Sequence, residues 1–116
     1  MTETLKARDA KDVEGALQWA FGEGRRLELI GQGSKRALGR PVEADLMLEL
    51  SAVAGITLYE PEELVLSAQA GTPLAEIEAA VTAAGQQLAF EPMDYGPILG
   101  GAAGAGTLGG TVATNL

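Results

Sequence analysis

The sequence predicts a small α+β domain that ends in a glycine-rich arm. Three observations lead there. Two segments carry apolar residues at helical spacing between clear start and stop signals. Several apolar runs of four to seven residues lie between them, bounded by glycine, proline or charge. After Glu91 the chain changes character, with seven glycines between Gly96 and Gly110 and no charged residue from Tyr95 to Leu116.

Taken in order, Asp9 is placed to cap a helix from Ala10 to Glu23, and Gly24 to end it. Val13, Ala16, Leu17, Ala20 and Phe21 fall on one stripe of that helix, with Trp19 beside it. Leu27–Ile30 reads as a strand, and a polar loop follows from Gly31 to Ala44. Asp45–Leu50 reads as a second strand. Ile56–Tyr59 and Leu64–Ala70 read as two strands of a hairpin joined through Pro61-Glu62-Glu63. Thr72 is expected to cap a second helix with Pro73 at its first position, where a missing N–H costs nothing. Leu74, Ile77, Val81 and Ala84 form its inward stripe, and Gly85 stops it. Gln87–Phe90 is expected to be extended. A linker would carry polar residues for solvation. The arm instead carries Ile98, Leu99, Leu108, Val112 and Leu116, so its backbone is expected to pack closely against something.

Composition narrows the function. The 116 residues suffice for one core. The net charge of −8 argues against nucleic acid as a partner, because phosphate backbones are met by basic surfaces. Cysteine and histidine are absent, which removes disulfides, Cys or His metal sites and histidine-based catalytic triads from these residues. No signal peptide or transmembrane segment is visible. Glu62, Glu63, Glu76 and Glu78 read as solvated surface, and Asp94, near the glycine-rich region, is held as a site candidate.

Two glycine clusters could hold an anion. Gly31, Gln32, Gly33, Ser34 and Lys35 directly follow the first predicted strand. Glycines allow positive φ, so consecutive N–H groups can line one concavity. Ser34 adds a hydroxyl, and Lys35, Arg36 and Arg40 add positive charge. The same residues would also serve a plain turn. The second cluster runs from Gly106 to Asn115 and offers backbone N–H groups and threonine hydroxyls. Neither matches a sharper motif. Arg36 stands where a dinucleotide fingerprint needs its third glycine, and no Gly-Lys pair exists for a P-loop.

The order of segments is more specific than either cluster. Gly31-Gln32-Gly33-Ser34-Lys35 with Leu38-Gly39-Arg40-Pro41-Val42, then Gly71-Thr72-Pro73-Leu74, then Gly106-Thr107-Leu108-Gly109-Gly110, resembles the FAD-binding domain of the vanillyl-alcohol oxidase and p-cresol methylhydroxylase type. Within that family the chain looks most like the FAD-binding E subunits of bacterial glycolate oxidases.

The resemblance implies that residues 1–90 form the first lobe of the FAD-binding domain and 91–116 a flavin-contacting segment. It implies non-covalent FAD, held at the pyrophosphate by Gly31, Gln32, Gly33, Ser34 and Lys35. Thr107, Gly109, Gly110, Thr111, Ala113 and Asn115 would approach the pyrophosphate and ribityl chain. It implies oxidation of a small 2-hydroxy acid by the whole protein, a second flavin subunit and an iron–sulfur subunit as partners, and a cytoplasmic site, peripheral to the inner membrane through those partners. The family's second lobe and cap are not represented, so these residues are expected to be part of a larger unit and inactive alone. No residue is assigned as catalytic acid or base. A D-lactate-type dehydrogenase and a non-enzymatic interaction or regulatory module remain the alternatives.

Overall fold

The computed structural model describes residues 3–33, 43–88 and 106–114. Strand β1 (Glu3–Lys6) leads into helix α1 (Ala10–Glu23), which returns to β2 (Leu27–Ile30). Strand β3 (Leu46–Glu49) then enters between them, giving a three-stranded parallel sheet of order β1-β3-β2. A separate antiparallel hairpin follows, β4 (Ile56–Glu60) and β5 (Val65–Ala68). Helix α2 (Leu74–Ala83) and a short helix α3 (Leu108–Thr114) complete the described elements.

α1 forms where its caps place it. The Asp9 carboxylate accepts the Asp12 N–H at 2.9 Å, and Gly24 closes the helix at φ 63°. Arg25 N–H reaches back to the Ala20 carbonyl at 2.9 Å, which satisfies one of the last helical acceptors. The inward stripe is narrower than the spacing predicts. Ala16 and Ala20 are buried and Val13 packs on the core, but Leu17 is half exposed and Phe21 is 92% exposed. Among the described residues the sheet is three short strands wide, so it covers less of the helix than the apolar stripe could fill.

β1 is the strand the sequence does not announce. Its four residues are exposed and carry no periodic signal. They are strand because β3 offers a ladder: Leu5 pairs Leu48 and Lys6 pairs Glu49. At the opposite ends of the strands, Arg26 and Asp45 clip β2 to β3. Arg26 N–H donates to the Asp45 carboxylate at 2.8 Å, and Asp45 N–H donates back to the Arg26 carbonyl at 2.9 Å. That N–H, followed by the Arg26 side chain, holds the Asp45 carboxyl below the ordinary range. The core of this layer is Leu48, wholly buried with Ala7 and Ala16, and bordered by Val13, Leu50 and Val53.

The hairpin forms as expected and pairs Glu60 with Val65 and Tyr59 with Leu66, with a bulge at Thr57 between Ile56 and Leu58. Pro61–Glu63 forms a single 3₁₀ turn. Leu64 is not part of the strand as expected. It takes the left-handed conformation (φ 58°) and closes the turn through its N–H to the Pro61 carbonyl.

α2 begins one residue later than expected and without a threonine cap. Pro73 is the capping position, and the first helical residue is Leu74. The residue before a proline is held extended, and Thr72 is used elsewhere. Its buried hydroxyl donates to the Gln69 carbonyl at 2.6 Å and accepts the Gly55 N–H at 2.9 Å. Thr72 thus joins both ends of the hairpin to the start of α2. Thr72→Val keeps the shape and leaves the Gly55 N–H without its partner, while the Gln69 carbonyl keeps the Thr72 N–H at 3.1 Å. A buried polar group so orphaned costs about 1–3 kcal/mol. The thermal midpoint is therefore expected to fall by about 10 °C, and an unchanged midpoint in a scanning calorimeter would contradict this role. On α2, Ile77 and Val81 are buried as expected, while Ala84 is exposed beyond the helix end. Gly85 follows at φ 73°, and Gln86 N–H returns to the Val81 carbonyl at 2.8 Å. Gln86–Leu88 has no regular structure; Ala89 and Phe90, expected to be extended, lie outside the described residues.

Candidate functional site

All three parallel strands end at the same edge, and in open parallel sheets ligands are met outside the carboxyl ends of the strands. Three chain segments gather there. β2 runs out into Gly31, Gln32 and Gly33. β3 runs out into Leu50–Ala54, and the Leu50 N–H donates to the Ile30 carbonyl at 2.8 Å. Gly71 lies buried beneath that turn, its N–H donating to the Val53 carbonyl at 2.8 Å. A Cβ on Gly71 would stand 2.0 Å from the Leu50 carbonyl oxygen, so only glycine permits this approach.

The 70–74 segment in turn holds the second glycine cluster. Pro73 and Thr107 form an antiparallel bridge. Leu74 N–H donates to the Gly106 carbonyl at 3.0 Å, Leu108 N–H to the Thr72 carbonyl at 2.9 Å, and Gly109 N–H to the Ala70 carbonyl at 2.8 Å. Gly109 packs so tightly that a Cβ there would lie 2.8 Å from the Ala70 Cβ. Thr107, 4% exposed, sits against Gly31. The structure therefore brings the two glycine clusters together, though they are far apart in sequence.

Their backbone donors differ. No hydrogen bond within the described residues uses the N–H groups of Gly31, Gln32 or Gly33. Gln32 is exposed, and Gly33 has φ 74°, the conformation that lets successive N–H groups serve one anion. In the second cluster the donors expected to be unencumbered are engaged. Leu108 and Gly109 donate to the 70–72 segment, and Gly110 N–H donates to the Thr107 hydroxyl at 3.2 Å. The physical reason is that these residues open α3, and the first N–H groups of a helix need acceptors. Of the remaining residues named from sequence, Thr111 is buried and Ala113 is exposed, both on α3. Ser34, Lys35, Arg36, Arg40, Asp94 and Asn115 lie outside the described residues.

What sequence reasoning missed is the 70–74 segment as the bracket between the clusters. Its signal is Gly71-Thr72-Pro73, readable as a helix start but not as a two-sided joint. At the first loop, N–H groups that no hydrogen bond among the described residues uses coincide with a positive-φ glycine, an arrangement that can hold an anion. Among the described residues no group of acidic side chains could hold a metal ion, and no helix is long and apolar enough to cross a membrane.

Residues 3–115 match the FAD binding domain family. The chain is also similar to the glycolate oxidase subunit GlcE of Escherichia coli (strain K12), with 44% identity over 90 residues. That match covers 78% of this chain and 23% of the relative, so the chain spans less than a quarter of the relative's length. Every residue that builds the strand-end edge falls within the family match, and the chain belongs to the FAD binding domain family, with FAD as its cofactor.

Proposed function

We propose that this chain supplies the pyrophosphate-holding part of the flavin site in an oxidoreductase subunit acting on small 2-hydroxy acids, glycolate among them. The observation that carries the reading is the meeting of Gly31, at the start of the first loop, with Thr107 at the carboxyl ends of the parallel strands. The likeness to a glycolate oxidase subunit supports the substrate class.

In this reading residues 1–90 act as the first lobe and 91–116 as the flavin-contacting segment. Gly31, Gln32 and Gly33 offer their N–H groups to phosphate oxygens, with Ser34 adding a hydroxyl and Lys35 a charge. Thr107, Gly109, Gly110, Thr111, Ala113 and Asn115 form the second wall. Bound FAD, held non-covalently, supplies the two-electron acceptor for oxidation of the hydroxy acid to the oxo acid. A second flavin subunit and an iron–sulfur subunit complete the enzyme, in the cytoplasm and peripheral to the inner membrane.

The test is anaerobic spectroscopy of the protein that contains these residues, loaded with FAD. Glycolate is expected to bleach the flavin band near ~450 nm, the region where flavins absorb. Bleaching by D-lactate with glycolate inert would move the substrate assignment, and bleaching by no 2-hydroxy acid would overturn it.

A further inference from the structure

We infer that Thr107 is a positioning residue. Its side chain, seated on the bare Cα of Gly31, sets the spacing between the first loop and α3 on which FAD uptake depends. This rests on the reading of both segments as flavin contacts.

The contact is tight and cannot easily relax. A Cβ on Gly31 would meet Thr107 Oγ1 at 2.7 Å and Cγ2 at 3.0 Å. Gly31 is not among the glycines at positive φ, so its backbone would accept alanine, and the objection is steric alone. Thr107 has little freedom to withdraw. Its hydroxyl accepts the Gly110 N–H at 3.2 Å, its carbonyl accepts the Thr111 N–H at 3.1 Å, and its backbone is bridged to Pro73. Any displacement of Thr107 therefore carries the opening turn of α3 with it. With so little of its surface exposed, Thr107 acts through its neighbours. Its hydroxyl is committed to the helix, and its methyl and oxygen together form the floor beneath the first loop.

A size-swap cycle in the protein that contains these residues tests this: Gly31→Ala, Thr107→Ala and the pair together. FAD affinity is measured by flavin fluorescence, and opening of α3 by amide exchange at Gly110 and Thr111. Gly31→Ala alone is expected to weaken FAD roughly tenfold or more and to speed exchange at both amides. In the pair, the nearest remaining Thr107 atom is its Cβ, 3.4 Å from the new methyl, which is ordinary contact. Affinity should then return to within about threefold of Thr107→Ala alone. A merely structural contact would shift the thermal midpoint without this recovery of affinity. Strictly additive losses, or a Gly31→Ala variant that binds like the parent, would overturn the inference. If the parent protein takes up no FAD, it is the flavin reading that fails. The exchange data then decide the coupling by themselves, compensation in the pair sustaining it and additivity ending it.

Discussion

Gly71→Ala is expected to remove a large share of the chain's folding stability. The added methyl would stand 2.0 Å from the Leu50 carbonyl oxygen and 2.8 Å from that of Val53. Both oxygens are held in place. The Leu50 carbonyl accepts the Val53 N–H at 2.9 Å, and the Val53 carbonyl accepts the Gly71 N–H itself. Overpacking against flexible side chains typically costs 1–3 kcal/mol. Here the obstacle is hydrogen-bonded backbone, so a loss of about 4 kcal/mol or more is expected, a large part of a typical domain's 5–15 kcal/mol. Urea titration followed by far-ultraviolet circular dichroism gives the answer. A midpoint near that of the parent would refute the close approach. Gly22→Ala is the internal control: it lies in α1 with nothing within 4 Å of its new methyl, and should stabilise by about 0.5–1 kcal/mol.

Gly33→Asp is expected to weaken FAD by about a hundredfold or more while the fold survives. Gly33 sits at φ 74°, which aspartate and asparagine tolerate better than other non-glycine residues. The aspartate would place a carboxylate in the loop read as the pyrophosphate cradle, and like charges so juxtaposed cost several kcal/mol. Asparagine has the same shape and the same backbone demand without the charge. Calorimetric titration with FAD should therefore find Gly33→Asn within about tenfold of the parent and Gly33→Asp far weaker. Equal affinity for the two variants would mean that the loop only turns the chain.

Where structure follows from neighbours in sequence, it could be read directly. α1 runs between the cap and the glycine that announce it, and the hairpin folds around Pro61–Glu63. The first loop was recognisable too, because glycines after a strand carry their conformational freedom with them. Helix α3 was not recognisable. Gly109, Gly110, Thr111 and Val112 are poor helix formers, and these residues are helical because Thr72 and Ala70 supply distant acceptors for the first two N–H groups. For the same reason the engagement of those donors was hidden, since the carbonyls that take them lie in another part of the chain. β1 was hidden because a four-residue edge strand owes its conformation to its partner. Thr72-Pro73 misled in a different way. The pair has the composition of a helix cap, but a buried hydroxyl goes to whichever backbone groups most need it, and here those belong to the hairpin.

The bridge between Pro73 and Thr107 also has a meaning for the order of assembly. It closes a loop of roughly thirty residues, and bringing such ends together costs about 3 kcal/mol of chain entropy. The hydrogen bonds that fasten Leu74, Leu108 and Gly109 each return about 1 kcal/mol net. Closure and fastening are thus nearly balanced, so the last helix behaves as a latch. It should join after the sheet and hairpin have formed, and it should open more readily than they do. A ligand that spans both sides of the latch would tip that balance, making the cofactor a late-acting part of the fold as well as its chemical cargo.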